Sequence, residues 1–339
     1  MFIFQPLANF FQCHASTLAQ LKDGRIFVAW FGGTKESHPD TAIWMSYLLP
    51  NQNTWCPPYI VVKINNKAHW NPVLFVFGEK MYMFFKVGST TENWITYYMI
   101  FENEKWSEAE ILVKTDVLEE QYNRGPVRSK PIVLSNGYWL APSSDEKTIN
   151  HNAPQSPNDV IWKAFADISK DEGKTWNKSE FINFNKEKYG FKNGQYGGII
   201  QPSLWESCDG NVHMLLRSTA GYIFRSDSFN YGKTWCEAYP TEWPNNNSGI
   251  DVVKFNDHLF LVFNPVSKNW GARTPLSLSF SSDNGKKWSN PIHMEKGAGS
   301  FSYPSIISIQ GEGLGITYTW NRLSISYVKI MFKNKNNVV

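Results

Sequence analysis

Ser169-Lys-Asp171-Glu-Gly173-Lys-Thr-Trp176 has the form Ser-x-Asp-x-Gly-x-x-Trp, and it returns intact at Ser281-Ser-Asp283-Asn-Gly285-Lys-Lys-Trp288. Between the two lies a near copy, Ser228-Phe-Asn230-Tyr-Gly232-Lys-Thr-Trp235, with Asn in the Asp position. Each residue type suits a tight turn. Short Ser and Asp or Asn side chains bond the turn's own backbone, Gly accepts positive φ, and Trp packs on the next layer. Three recurrences of one turn predict repeated small sheets.

Hairpin signals count those sheets. Turns at Lys22-Asp23-Gly24, Gly78-Glu79-Lys80, Ser135-Asn136-Gly137, Cys208-Asp209-Gly210, Asn256-Asp257 and Gln310-Gly311-Glu312-Gly313 split runs rich in Val, Ile, Phe and Tyr. Trp176, Trp235 and Trp288 fall between these hairpins, and Trp55 and Trp106 read as degenerate earlier copies. Two hairpins per unit and six units predict an all-β, six-bladed β-propeller of four-stranded antiparallel blades, the last closed by the N-terminal segment. The repeat runs end to end without a linker, so residues 1–339 form one domain.

Composition excludes several classes. The net charge of +3 and the lack of a basic run argue against nucleic acid. No apolar stretch is long enough for a membrane span. Cys13, Cys56, Cys208 and Cys236 are too dispersed for a zinc motif or a disulfide framework, which leaves free core thiols. His14, His38, His69 and His151 show no metal-ligand spacing, and there is no P-loop or G-x-G-x-x-G, so neither a metal nor a cofactor is expected. The stretch Met1–Gln12 lacks a basic region and a small-residue cleavage site, so a cytosolic chain is expected. The segment 333–337 reads as a frayed end.

The octapeptide is similar to the Asp-box, or BNR repeat, and the whole chain resembles the sialidase superfamily, in particular its bacterial-type branch of predicted neuraminidases. Cys13-His-Ala-Ser-Thr17, Trp30-Phe-Gly-Gly33, Gly198-Ile-Ile-Gln-Pro202, Arg217-Ser-Thr219, Ser248-Gly-Ile-Asp251, Arg273-Thr-Pro275 and Ser302-Tyr-Pro304 carry the resemblance, with Trp320 in the last strand run. It implies a substrate carboxylate clamped by three arginines, a tyrosine nucleophile activated by a carboxylate, and an aspartate as proton donor. Asp171, Asn230 and Asp283 lie in blade turns and are structural on this reading.

Carried over residue by residue, the resemblance assigns Arg217 and Arg273 to the carboxylate clamp and Tyr303 to the nucleophile, 56 and 30 residues apart in turn. The place of the first arginine falls near His14, a cation only when protonated. The activating carboxylate's place, sixteen residues before Arg217, is Gln201, and an amide cannot accept the tyrosine's proton. Glu206 has the opposite strand parity and belongs to the other face. The loop after Gly33 offers Glu36 and Asp40 as proton donors, with Asp40 favoured because Thr41-Ala-Ile-Trp44 resumes a strand directly after it.

Arg124 and Arg128, with Lys130, sit on a Gly- and Pro-containing loop suited to an anion, and either arginine could replace the missing first one. Asn71 and Asn264 could bond sugar hydroxyls, and Trp270 and Trp320 could stack on sugar faces. The leading expectation is a sialidase-like glycoside hydrolase acting on a terminal acidic sugar of a glycan. A uronate-glycan lyase with His14 or Tyr303 as base, and a non-catalytic acidic-glycan-binding propeller, are the alternatives.

Overall fold

The computed structural model describes residues 1–7, 9–149, 160–191, 195–310 and 313–332. His151, Gly311, Glu312 and the segment 333–337 lie outside the described residues. The strands fall into six consecutive antiparallel sheets. The first holds β1 (Gln12–Gln20), β2 (Ile26–Gly33), β3 (Ala42–Leu48) and β4 (Tyr59–Val62). The second holds β5 (His69–Phe77), β6 (Lys80–Val87), β7 (Ile95–Glu102) and β8 (Lys105–Trp106), with β9 (Glu110–Ile111) also on β7. The third holds β10 (Ile132–Val133), β11 (Trp139–Thr148), β12 (Val160–Ser169) and β13 (Asn177–Lys178).

The fourth comprises β14 (Ile199–Cys208), β15 (Asn211–Ser218), β16 (Tyr222–Ser228) and β17 (Tyr239–Pro244). The fifth comprises β18 (Asp251–Phe255), β19 (His258–Phe263), β20 (Leu276–Ser281) and β21 (Ile292–Glu295). The sixth has three strands, β22 (Phe301–Ile309), β23 (Gly313–Trp320) and β24 (Ser324–Met331). The N-terminus supplies its outer edge. Phe2 pairs with Ser326, the Ile3 N–H donates to Ile325 O at 2.9 Å, and the Tyr327 N–H donates to Met1 O at 2.8 Å. A closed six-bladed propeller results, and the expected hairpin turns at 22–24, 78–80, 135–137, 208–210 and 256–257 join the first two strands of their blades.

Apolar burial follows the seams between blades. Ala29, Phe31 and Met45 of the first blade pack with Leu74, Met83 and Phe85 of the second. Val73, Phe75 and Phe84 then meet Trp139 and Trp176 of the third. Corresponding clusters join the later blades, and Trp30 and Trp55 meet Ile325 and Tyr327 where the ring closes. Such seams make each blade's stability depend on both neighbours.

The octapeptide turns follow the third strand of their blades, at the end opposite the β2–β3 loop. Ser169 Oγ accepts from Gly173 N at 2.8 Å, Asp171 Oδ1 accepts from Thr175 N at 2.8 Å, and Trp176 Nε1 donates to Gly173 O at 3.0 Å. The Asn230 copy repeats all three bonds, and the Asp283 copy repeats the two to Ser281 and Asp283 but not the tryptophan bond. Gly173, Gly232 and Gly285 have φ of 86°, 77° and 74°. Replacing Asp171 by Ala removes the bonds it accepts from Thr175 N, Thr175 Oγ1 and Ser169 Oγ, and a loss of about 1–2 kcal/mol in urea unfolding is expected, with little effect on any activity at the far end.

The cysteines depart from the expectation of core thiols. All four are free, but only Cys13 is buried, while Cys208 and Cys236 are exposed in turn regions. No helix among the described residues is long and apolar enough to cross a membrane.

Candidate functional site

One backbone device recurs around the propeller axis. Ala15, Asn71, Gly125, Gln201, Asn247 and Tyr303 all have φ between 38° and 67°, one in the innermost segment of each blade. Each is followed by Ser or Pro. At Ala15, Asn71, Gln201 and Tyr303 the pairing register slips, as in a β-bulge. A bulge re-aims a side chain out of the regular alternation. Left-handed backbone is costly for a residue as bulky as Tyr303, so the surrounding packing must impose it.

The bulges turn Asn71, Gln201 and Tyr303 into one cavity of about 350 Å3. Arg217, Arg273, Arg322, Glu36 and Glu146 line it as well, with Trp70, Trp94, Trp162 and Trp270 among its walls. Arg217, at the end of β15, is buried and donates through Nη1 to Tyr303 Oη at 2.8 Å and to Gln201 Oε1 at 3.0 Å. The Arg128, Arg273 and Arg217 guanidinium carbons stand 5.0, 5.3 and 5.5 Å from the Tyr303 ring. Arg322 donates to Glu36 Oε2 at 2.6 Å. Planar guanidiniums converging on one cavity suit a carboxylate, which accepts such forks bidentately.

Arg217, Arg273, Tyr303, Gln201 and Glu36 are therefore brought together, and the other expected residues fall elsewhere. Asp40 does not line the cavity; it accepts from Thr34 N at 3.0 Å and Thr34 Oγ1 at 2.6 Å. Burial raises its pKa, but these bonds and His38 outweigh that and hold it below the usual range, which ill suits a proton donor. Glu36 is the carboxylate of that loop which reaches the site.

His14 is buried behind Tyr303, with ring centroids 4.1 Å apart and Nδ1 3.0 Å from Thr319 Oγ1. Burial first, and then the surrounding arginines, hold its pKa well below the ordinary value. It stays neutral and is no carboxylate-binding cation. The third guanidinium comes from Arg322 in the β23–β24 turn.

Neither Arg124 nor Arg128 lines the cavity. Arg124 pairs with fully buried Asp167, donating from Nη2 at 2.7 Å and from Nε at 3.0 Å. Arg128 is buried beneath Tyr303, donating to Ile250 O at 2.9 Å and to Pro304 O. Burial lowers its pKa to about 10. Its role is to brace three blades and support the tyrosine from below. Asn264 donates to Pro275 O and Phe301 O and stays in the core. Trp270 lines the cavity and Trp320 does not. Glu206 lies at the far end, accepting from Ser135 and Gly210, in line with its opposite parity.

Glu146, near the end of β11, was missed by sequence reasoning. It lines the cavity and hydrogen-bonds Gln201, so a carboxyl group lies next to the amide that occupies the expected carboxylate position. Burial pushes its pKa up to about 7; the charge of Glu36 adds to this, while Arg217 and Gln201 oppose it. Among the described residues no group of His, Cys, Asp or Glu could hold a metal ion.

The BNR repeat-like domain family matches residues 24–316. Comparison with curated proteins gave no match. A Dyadobacter fermentans protein of unknown function is similar, with a TM-score of 0.74 and 13% identity over 95% of this chain and 95% of that one. The Streptococcus pneumoniae NanB sialidase superposes with a TM-score of 0.73 and 12% identity, covering 98% of this chain and 70% of its own. The Trypanosoma rangeli sialidase in complex with DANA gives 0.70 and 15%, covering 95% of this chain and 55% of its own. The chain thus spans only part of these sialidases, and the likeness to them is one of fold. With the family match running across most of its length, the chain belongs to the BNR repeat-like domain family and carries the six-bladed propeller of the sialidases.

Proposed function

We propose that the protein is a sialidase-like glycoside hydrolase that acts on a terminal, carboxylate-bearing sugar of a glycan. The observation that carries this reading is the convergence of Arg217, Arg273 and Arg322 on the cavity that contains Tyr303. The guanidiniums hold the substrate carboxylate. Tyr303 Oη, which accepts from Arg217, faces the anomeric carbon. Glu36 is engaged in orienting Arg322. Glu146, held largely protonated by its raised pKa, is then the carboxyl group left to donate the proton to the leaving oxygen. The tryptophan walls offer flat apolar faces to sugar rings.

The position of His14 weakens the lyase alternative, because its ring is buried behind Tyr303 and does not line the cavity. The test is incubation with fluorogenic α-sialosides and uronate oligosaccharides, following fluorophore release and ultraviolet absorbance together. Release from a sialoside, lost in Tyr303→Phe, is the expected result. An unsaturated, ultraviolet-absorbing product without release would assign a lyase. Saturable binding without product would leave a binding propeller.

If Glu146 donates the proton, kcat should fall as pH rises through about 7. Glu146→Gln should abolish that limb and lower kcat by about two to four orders of magnitude. The same group sets a stability trend. Its folded pKa lies above the ordinary 4.5, so the folded chain keeps a proton that the unfolded chain has lost. Stability should therefore fall as pH rises from about 4.5 to 7, and less steeply in Glu146→Gln. Melting temperature against pH for the two proteins checks the sign.

A further inference from the structure

We propose that a second site, at the opposite end of the fourth blade, is a serine nucleophile centre for carboxylic ester hydrolysis, built from Ser207, His213 and Asp227. Ser207 Oγ lies 2.8 Å from His213 Nε2, and His213 Nδ1 contacts Asp227 Oδ1. Ser207 is the extra residue where the β14–β15 register slips between Glu206 and Cys208. His213 and Asp227 are cross-strand partners on β15 and β16. Ser207 is six residues along β14 from Gln201, roughly 20 Å at about 3.3 Å per residue, so the central cavity is not involved.

The tautomer follows from neighbouring bonds. Trp205 Nε1 can only donate, and its partner at 2.7 Å is Asn284 Oδ1. Asn284 Nδ2 therefore faces His213 Nε2, at 3.1 Å, and that nitrogen must accept. The ring proton sits on Nδ1 and points at the Asp227 carboxylate. Arg225 Nη2 also approaches Nδ1, at 3.0 Å, but Arg225 Nε donates to the same Asp227 oxygen at 2.8 Å. An unprotonated Nδ1 would set a lone pair against that carboxylate in the closer of the two contacts. Nε2 thus shares its lone pair between Ser207 O–H at 2.8 Å, the closer donor, and Asn284 Nδ2 at 3.1 Å, while Asn211 O lies 3.4 Å from the same hydroxyl. The closer contact is the arrangement in which a histidine withdraws a serine proton while an aspartate fixes its orientation.

These side chains line a cavity of about 570 Å3. Its walls include Phe229, Trp288 and Lys286, and Tyr239, whose hydroxyl donates to Asp227 Oδ2 at 2.6 Å. Phe229 is 74% exposed, so the rim is open to a ligand. An ester with a small acyl group suits this site. Ser207 Oγ adds to the carbonyl carbon as its proton passes to His213 Nε2. The C–O bond to the alcohol then breaks, and His213 returns the proton to the leaving oxygen. Water repeats the sequence, releasing the carboxylic acid and restoring Ser207.

The test is to treat the folded full chain with a fluorescent fluorophosphonate, map the adduct by peptide mass spectrometry, and follow p-nitrophenyl acetate hydrolysis in parallel. The expected result is an adduct on Ser207 that is absent after heat denaturation, and at least a tenfold drop in ester turnover in Ser207→Ala. His213→Gln should slow labelling at least tenfold. Because His213 packs on Trp205, the folded-against-denatured comparison stands independently of that variant. No adduct on Ser207 in the folded protein, or equal turnover in Ser207→Ala, would overturn the proposal.

Discussion

Arg217→Ala should lower kcat/KM toward an α-sialoside by about three orders of magnitude, measured from initial rates against substrate concentration. The magnitude follows from the bonds removed. Hydrogen bonds to charged groups contribute about 1.5–3 kcal/mol each, and a bidentate contact to the substrate carboxylate contains two of them. Arg217 also donates to both Tyr303 Oη and Gln201 Oε1, so its loss releases both side chains together. Arg217→Lys should recover little, because an ammonium cannot reproduce the planar fork. Because Arg217 is buried at the end of β15, the melting temperature of the variant is measured alongside, to separate lost recognition from lost stability. Unchanged turnover would remove the arginine cluster from the mechanism.

The second large effect concerns stability. Asp251 is fully buried on the innermost strand of the fifth blade and links four blades. Its Oδ1 accepts from Ser203 Oγ at 2.6 Å, and its Oδ2 from Lys130 Nζ at 3.0 Å and from Ile306 N at 2.9 Å. Asp251→Ala leaves the half-buried Lys130 ammonium with Val252 O but without its counter-charge, and removes the acceptor of Ser203 Oγ and Ile306 N at the propeller axis. Removing one partner of a buried pair typically costs about 3–5 kcal/mol, the loss expected in urea unfolding. Asp251→Asn keeps one acceptor oxygen and should cost less. A loss below about 1 kcal/mol in the alanine variant would mean that the blades are held by their apolar seams alone.

The fold was legible because its signals are local. Ser169–Trp176 and its copies specify a turn within eight residues, and the hairpin turns announce themselves by Gly, Asn and Asp. The site was legible only in part. Arg217, Arg273 and Tyr303 could be placed because family order and spacing survive along the chain. Arg322 could not, because it sits in a turn one blade-closure away from the position where a first arginine is expected. Glu146 escaped for a similar reason: it reaches Gln201 across a blade seam, a contact between distant segments that linear spacing does not encode. The succession of a left-handed residue and Pro at Asn71, Gly125, Gln201 and Tyr303 was a usable signal, since the same dipeptide form recurs in four blades. Asp40 was favoured from its place before a strand, but its side chain closes its own loop through Thr34. Arg124 and Arg128 show that cations on a rigid loop can be engaged by buried partners, here Asp167 and two backbone carbonyls.

Titration calorimetry reads out whether the cavity recognises a sugar through its carboxylate. Sialic acid and its methyl ester would be titrated into the wild-type protein under identical conditions. Saturable binding of the acid is expected, with binding at least a hundredfold weaker for the neutral ester, because the three guanidiniums lose their anionic partner. Equal affinity for acid and ester would contradict it.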